Sequence, residues 1–143
     1  MKLHIVTVGK PKLAFAKAGW DEYLQRLTHY HEIRVTHIPD KWAYDAGQLL
    51  SAAGSAYKVA LVIEGEQLSS PQLAAFLQKR AIDGREVCLL IGGPEGLPDD
   101  VIGAADYLWS FSKLTFPHDL AMVVLLEALY RASTINAGLP YHK

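Results

Sequence analysis

Cysteine and long apolar runs are scarce in this sequence. Cys88 is the only cysteine among 143 residues, so no disulfide can form within the chain. No apolar stretch approaches the roughly 20 residues that a membrane helix needs. The first residues lack the charged leader and apolar segment of a secretory signal. These absences predict a reduced, cytoplasmic protein that does not cross a membrane.

An excess of positive charge is also lacking. The formal net charge is −1, with 14 basic and 15 acidic residues. Because nonspecific nucleic-acid binding depends on neutralising phosphates, this balance weighs against an avid nonspecific binder and leaves room for a local basic patch. Repeats, low-complexity tracts and linkers are absent, so residues 1–143 are expected to form one domain.

Clustered metal ligands are missing as well. The six histidines do not group with cysteine or carboxylate at the spacing of a metal site, so none is expected. No Ser–His–Asp or Cys–His arrangement can be argued from spacing. His118, at the start of the last predicted helix, and His142, beside the final residue, are the better candidates for chemistry. Either is also compatible with a purely structural hydrogen bond.

Apolar runs alternate with amphipathic segments, and this alternation predicts an α/β fold: a mostly parallel sheet with helices on both faces. The hydroxyl cap and proline of Ser69-Ser70-Pro71 mark one helix start. Strands are predicted at residues 3–8, 33–38, 59–63, 87–91 and 107–111. Helices are predicted at residues 14–28, 44–56, 70–81 and 98–104, and from 115–117 to Gly138. In the first helix, one face is expected to contain Phe15, Ala18, Gly19, Tyr23, Leu24 and Leu27.

A glycine-rich segment, Gly92-Gly93-Pro94-Glu95-Gly96, follows the predicted strand at 87–91. It is not a dinucleotide-binding fingerprint, because Pro94 stands where the second glycine belongs, and no Gly-Lys-Ser/Thr of a P-loop follows. One interpretation is a tight turn that needs positive φ. The other is a ligand loop whose bare backbone approaches a small molecule. In parallel sheets such loops meet beyond the carboxyl ends of the strands, where the Gly65 turn and the loop at 111–116 are also expected.

The polar residues Ser110, Ser112, Lys113 and Thr115 lie just before the last helix. They are compatible with ordinary capping, or with hydroxyl and backbone groups that contact an adenine or amino-acid moiety.

Further along the last helix, Glu127 and Arg131 have the i, i+4 spacing of a surface ion pair. Alternatively, Tyr130 and Arg131 face the pocket.

Four short motifs occur together in this chain: Gly92-Gly93-Pro94-Glu95-Gly96-Leu97, Leu114-Thr115-Phe116-Pro117-His118, Leu129-Tyr130-Arg131-Ala132 and Pro140-Tyr141-His142-Lys143. Together they resemble those of the bacterial ribosomal large-subunit pseudouridine methyltransferases, which belong to the SPOUT class of S-adenosylmethionine-dependent enzymes. The resemblance begins at Met1-Lys2-Leu3 and covers nearly the whole chain. It implies an α/β sheet with a C-terminal trefoil knot, and a homodimer with cofactor pockets near the subunit interface. It also implies methylation of N3 of a pseudouridine in the 23S rRNA of the assembled ribosome.

Carried over by position, the resemblance assigns S-adenosylmethionine contacts and catalytic candidates to this chain. The tail is expected to fold over the cofactor pocket, with Tyr141 near the target base. The base that removes the N3 proton is expected to be His118, His142 or Glu95. The cofactor contacts fall on Leu61, Gly92, Phe111, Ser112, Lys113, Leu114, Thr115 and Phe116. The catalytic candidates are His118, His142, Tyr141, Glu95 and Arg131.

Two departures from the family pattern accompany the resemblance. The segment at 39–60 is shorter than in many relatives, and Met122 stands where several relatives have an arginine. Two other functions stay open from the sequence: a related knotted methyltransferase acting on another RNA such as tRNA, and a flavodoxin-like nucleotide-binding module without enzymatic activity.

Overall fold

Five strands and five α-helices alternate along the chain in this computed structural model, which describes residues 1–142. Short 3-10 helices occur at Asp40–Trp42 and Pro140–His142. No helix in the described part of the chain is long and apolar enough to span a membrane. The strands are β1 (Lys2–Val8), β2 (Glu32–Ile38), β3 (Tyr57–Gln67), β4 (Val87–Ile91) and β5 (Tyr107–Ser110). The helices are α1 (Ala14–Leu27), α2 (Ala46–Ala53), α3 (Ser70–Asp83), α4 (Asp99–Ala104) and α5 (His118–Asn136).

All strand pairs in the sheet are parallel, in the order β2-β1-β4-β3-β5. The predicted parallel sheet is therefore confirmed. A flavodoxin-like sheet has the order 2-1-3-4-5. Here β4 lies between β1 and β3 instead, so the flavodoxin-like alternative is wrong at the level of topology.

Helices cover both faces of the sheet, as predicted. Strand β4 is buried along its whole length. Because side chains alternate across a strand, Leu89 and Ile91 pack with α1, α3 and α5, whereas Cys88 and Leu90 pack with α2 and α4.

Local capping chemistry explains where two helices begin and end. The Ser69 hydroxyl accepts a hydrogen bond from the Gln72 N–H, and the Gln72 side chain accepts one from the Ser69 N–H, so α3 begins as predicted. Helix α2 is shorter than predicted, because Asp45 caps its start and Gly54, with φ of 60°, ends it.

The apolar face predicted for α1 is wrong near the start of the helix, where two of its residues are exposed. Phe15 is 57% exposed, and Ala18 is exposed too. The fully buried positions of this helix are Ala16, Trp20 and Leu27. Two apolar residues near the start of the helix therefore face solvent within one subunit.

The start of α5 is fixed to the loop between β1 and α1. The His118 Nε2 lies 2.6 Å from the Val8 carbonyl oxygen. The Asp119 carboxylate accepts hydrogen bonds from the backbone N–H groups of Lys12, at 2.8 Å, and Leu13, at 2.7 Å. Burial alone would raise the pKa of Asp119, but the N–H groups of Leu13 and Lys12 outweigh it and hold the pKa below its usual value.

Replacing Asp119 with asparagine is expected to lower the free energy of unfolding by about 1 kcal/mol at neutral pH, because the amide oxygen can still accept both hydrogen bonds but lacks the charge that strengthens them. The folded-state pKa lies below the unfolded one. The carboxylate therefore contributes its full stability above about pH 4 and loses it as the pH falls through the folded-state pKa. Urea denaturation at pH 7 and pH 3 should show the difference from wild type narrowing in acid. Asp21→Asn, at an exposed position of α1, is the control. An Asp119→Asn effect that is equal at both pH values would contradict the assignment.

Candidate functional site

A cavity of about 390 Å³ opens at the carboxyl edge of the sheet. Its volume falls within the range of small-molecule binding sites. A bulge in β3 and the loops that follow β4 and β5 form its walls, at the edge where ligand sites in parallel sheets are expected. It is lined by residues 61–64, 91–97, 109–112 and 114–116, together with Ile102, His118 and Ala121.

One wall of the cavity is a bulge in β3 that the sequence did not predict. Leu61 and Glu66 both pair with Trp109 of β5, so residues 62–65 loop out of the strand. A Cβ on Gly65 would lie 2.7 Å from the Trp109 carbonyl carbon, so only glycine fits there. An isolated glycine within a strand pattern is the signal for such a bulge.

The glycine-rich loop forms the second wall, and its close backbone packing depends on Gly92. A Cβ at Gly92 would lie 2.5 Å from the carbonyl carbon of Gly96 and 2.7 Å from the nitrogen of Leu97. The space that a side chain at Gly92 would need is therefore filled by the loop's own backbone. Gly96 has φ of 88°, and its N–H donates to the Gly93 carbonyl at 2.9 Å, which closes the turn.

The third wall is aromatic. Phe111 and Phe116 stack with ring centroids 6.3 Å apart, and Trp109 meets Phe111 edge-on at 5.0 Å. These rings offer a flat apolar surface of the kind that an adenine base packs against.

The hydroxyls of the same loop make local bonds. The Ser110 hydroxyl donates to the Ser112 carbonyl at 2.9 Å, and the Leu114 N–H donates to the Ser112 hydroxyl at 3.0 Å. These bonds close the loop on itself and do not cap α5, whose N-cap residue Pro117 makes no side-chain cap hydrogen bond. Lys113 is exposed and does not line the cavity. The other predicted cofactor residues, Leu61, Gly92, Phe111, Ser112, Leu114, Thr115 and Phe116, all do.

Two of the catalytic candidates, His118 and Glu95, line the cavity. Because the Val8 carbonyl can only accept, the His118 Nε2 carries the shared proton, and Nδ1 is left as the ring nitrogen that can accept one. Glu95 accepts a hydrogen bond from the Tyr44 hydroxyl at 2.8 Å.

The other catalytic candidates lie in a second cluster, at the far end of α5. The Arg131 Nε donates to Glu127 at 2.9 Å, which is the predicted i, i+4 pair, and its guanidinium lies 4.9 Å from the Tyr141 ring centroid. The Tyr141 hydroxyl lies 3.2 Å from that of Tyr23. Burial, the hydrogen bond with Tyr23 and the charge of Glu127 raise the pKa of Tyr141 to about 12. His142 is exposed, and Lys143 lies outside the described residues.

The tail does not cover the cavity of its own subunit. At roughly 1.5 Å per residue, the stretch of α5 from His118 to Arg131 is about 20 Å long. Tyr141 packs beside Tyr130 at the far end of that stretch, with ring centroids 4.7 Å apart. The expectation that the tail folds over the pocket is therefore wrong within a single subunit.

Met122 is fully buried in the core between α5 and the sheet. A charged arginine at this position would be buried without a partner, which is costly.

Comparisons with known proteins agree with the resemblance seen in the motifs. Residues 1–142 match the family model described as "Predicted SPOUT methyltransferase". The chain is 50% identical to a ribosomal RNA large subunit methyltransferase H of Deinococcus deserti, over the full length of both proteins. It is 48% identical to the protein of that name from Deinococcus radiodurans (100% of this chain and 99% of the relative) and 38% identical to that from Clostridioides difficile, again over both full lengths. The alignment spans 145 positions with each Deinococcus protein and 159 with the Clostridioides protein. The Deinococcus relatives are therefore about as short as this chain, whereas the Clostridioides relative is longer.

Gly92→Ala is expected to lower the melting temperature clearly, because its Cβ would meet backbone atoms that cannot move without opening the loop. Gly103→Ala is the matched control. Gly103 lies within α4 with no atom within 4 Å of its Cβ position, so alanine there should be neutral or stabilise by up to about 1 kcal/mol. Thermal denaturation monitored by circular dichroism compares the two. Equal melting temperatures for both variants would contradict this role of Gly92.

Proposed function

The chain belongs to the SPOUT methyltransferase family, and we propose that it methylates N3 of a pseudouridine in 23S rRNA, with S-adenosylmethionine as methyl donor. The substrate would be the assembled ribosome in the cytoplasm. The observation that carries this proposal is the cavity at the carboxyl edge, which has the size and walls of a cofactor site in a chain similar to ribosomal RNA large subunit methyltransferases.

The residues of the cavity fit the proposed cofactor. Phe111 and Phe116 would hold the adenine, and the glycine-rich loop, which lines the cavity, would place its main chain beside the polar edge of the base. The carboxylates of Glu64 and Glu95 line the same space and complement a positive sulfonium. When bound, S-adenosylmethionine supplies an electrophilic methyl group, so positioning of the target nitrogen provides much of the rate.

The chain's own residues would remove the proton from N3. Of the three predicted bases, Glu95 and His118 lie at the cavity, whereas His142 does not within one subunit. Tyr44 donates to one oxygen of Glu95 and leaves the other oxygen to accept. The Nδ1 of His118 is the alternative acceptor.

We also propose that the active species is a homodimer. The N–H groups of Lys12 and Leu13 bond to Asp119, so the starts of α1 and α5 lie side by side. Large apolar side chains there face solvent: Leu13 is 55% exposed and Phe15 57%. Leu114, at the mouth of the cavity, is 71% exposed. A second copy that covers this surface would bury it beside the cofactor site.

A dimer also gives the tail a role. Because Arg131 lies about 15 Å along α5 from Ala121, the last residue of that helix to line the cavity, a composite site would use the tail of one subunit and the cavity of the other. The expected trefoil knot belongs to the same proposal. It is supported by the chain's path from β5, at one edge of the sheet, back to Val8 at the end of β1.

The substrate is tested by incubating the protein with labelled S-adenosylmethionine and ribosomes that lack the modification, followed by mapping of the labelled nucleotide. Parallel reactions contain protein-free 23S rRNA or tRNA. Methylation of ribosomes should be at least roughly tenfold faster than that of protein-free rRNA. A net charge of −1 gives little long-range attraction to a flexible strand, so the shaped ribosomal surface must supply the contacts.

Equal rates on ribosomes and protein-free rRNA would contradict the choice of substrate. Faster labelling of tRNA would favour the alternative of a related enzyme with another RNA target.

The composite site is tested by mixing two defective subunits. Ala121→Leu fills the cavity and should abolish S-adenosylmethionine binding in calorimetry, whereas Ala81→Leu, exposed on α3 away from the cavity, should not. Deletion of residues 141–143 should lower methylation by at least about 100-fold, the low end for losing an acid–base group. When Ala121→Leu and truncated subunits are co-expressed, each mixed dimer should regain one working site.

Mixed dimers that stay inactive would show that cavity and tail act within one subunit. A fully active truncated protein would remove the tail from the mechanism.

A further inference from the structure

The turn between β2 and α2 exposes two aromatic side chains next to the cavity. Trp42 is 36% exposed and Tyr44 is 56% exposed, on either side of the buried Ala43. Neither aromatic residue lines the cavity itself. The other tryptophans, Trp20 and Trp109, are buried, at 5% and 3% exposure.

Hydrogen bonds and packing hold this turn in one conformation. The Trp42 N–H donates to the Pro39 carbonyl at 2.9 Å, and the Asp45 N–H donates to the Trp42 carbonyl at 3.0 Å. Ala43 packs among the buried residues on the sheet face that α2 and α4 cover, together with Val8 at the end of β1. The exposed rings are therefore carried by an ordered turn, and little conformational freedom would be lost when a flat partner binds them.

The turn is also joined directly to the glycine-rich loop. The Tyr44 hydroxyl donates to Glu95, which lines the cavity. The Cβ position of Gly93 lies 3.7 Å from the Ala43 Cβ. A group that packs on Tyr44 would therefore be separated from the cavity wall only by the Tyr44 side chain.

Positive charge accompanies the aromatic rings. The Lys41 Nζ lies 4.8 Å from the Trp42 ring centroid. Within residues 1–142 no carboxylate lies within ion-pair distance of Lys41. Lys12, on the neighbouring loop, is paired with Asp40 at 3.2 Å. Lys41 is therefore the cation of this turn that is available to an incoming anion.

We propose that Trp42 and Tyr44 form a stacking site for an unpaired nucleobase next to the target nucleotide, with Lys41 binding the adjoining phosphate. This inference rests on the proposed RNA methyltransferase function and names an RNA-binding element for it. Aromatic faces beside a lysine are the usual means by which proteins hold unstacked bases of single-stranded RNA. A base held here would position its neighbour over the cavity, so the site would act on substrate binding and not on the cofactor.

The kinetic test measures methylation over a range of ribosome concentrations. Trp42→Ala should raise the KM for ribosomes by about fivefold or more, which corresponds to the roughly 1 kcal/mol lower bound for stacking on one base. Its S-adenosylmethionine affinity in calorimetry should be unchanged, because Trp42 does not line the cavity. Trp42→Phe and Tyr44→Phe keep the rings and should keep the KM. Ile82→Ala, at an 85% exposed apolar position of α3, is the surface control.

The binding test uses the intrinsic fluorescence of Trp42, the exposed tryptophan. A mixed-sequence single-stranded RNA oligonucleotide should quench its emission and protect it from acrylamide, whereas Trp42→Phe should lose this response. This readout does not require methyl transfer. If the wild-type protein methylates no RNA and still shows the quenching, the proposed function fails and the stacking site stands.

Two outcomes would overturn the inference. One is a Trp42→Ala variant with the wild-type KM, together with no quenching by RNA. The other is a KM defect on ribosomes that vanishes on protein-free rRNA, because the partner of Trp42 would then be a ribosomal protein and not a base.

Discussion

The attachment of α5 to the β1–α1 loop is the constraint on which the cavity depends. Asp119 binds two backbone N–H groups of that loop, and His118, the preceding residue, binds the last carbonyl of β1. These adjacent residues bring the chain back from β5, at one edge of the sheet, to β1, next to the opposite edge strand β2. The loop before α5 therefore has to cross the carboxyl ends of the strands, and it becomes the aromatic wall of the cavity.

Two glycines, which lack side chains, determine the shape of the other two walls. The β3 bulge can approach β5 because Gly65 has no Cβ, and the turn after β4 can fold on itself because Gly92 has none. Both contacts are backbone against backbone, which leaves no room for adjustment. The cavity is thus formed mainly by main-chain geometry, and its side chains supply surface and charge.

Local signals in the sequence predicted much of this arrangement. The Ser69 cap, the buried run of β4 and the glycine-rich turn each depend on neighbouring residues, so the α3 start, the parallel sheet and the position of the glycine-rich loop at the carboxyl edge were predicted correctly. The position of β4 between β1 and β3, the β3 bulge and the distance of the tail from the cavity depend on contacts between distant residues. Hydrophobic periodicity carries no information on these, and it also misassigned Phe15 to a buried face.

The strand order has a consequence for the way in which the chain is made. Strand β1 can pair with β2 as soon as both have been synthesised. The strand that pairs with the other edge of β1 is β4, whose residues Val87–Ile91 emerge much later. At about 5–20 residues per second, the nascent chain spends several seconds with an unpaired strand edge. The cavity needs α5 as well, so we expect cofactor affinity to arise only when synthesis is nearly complete, and a prematurely terminated chain to have none.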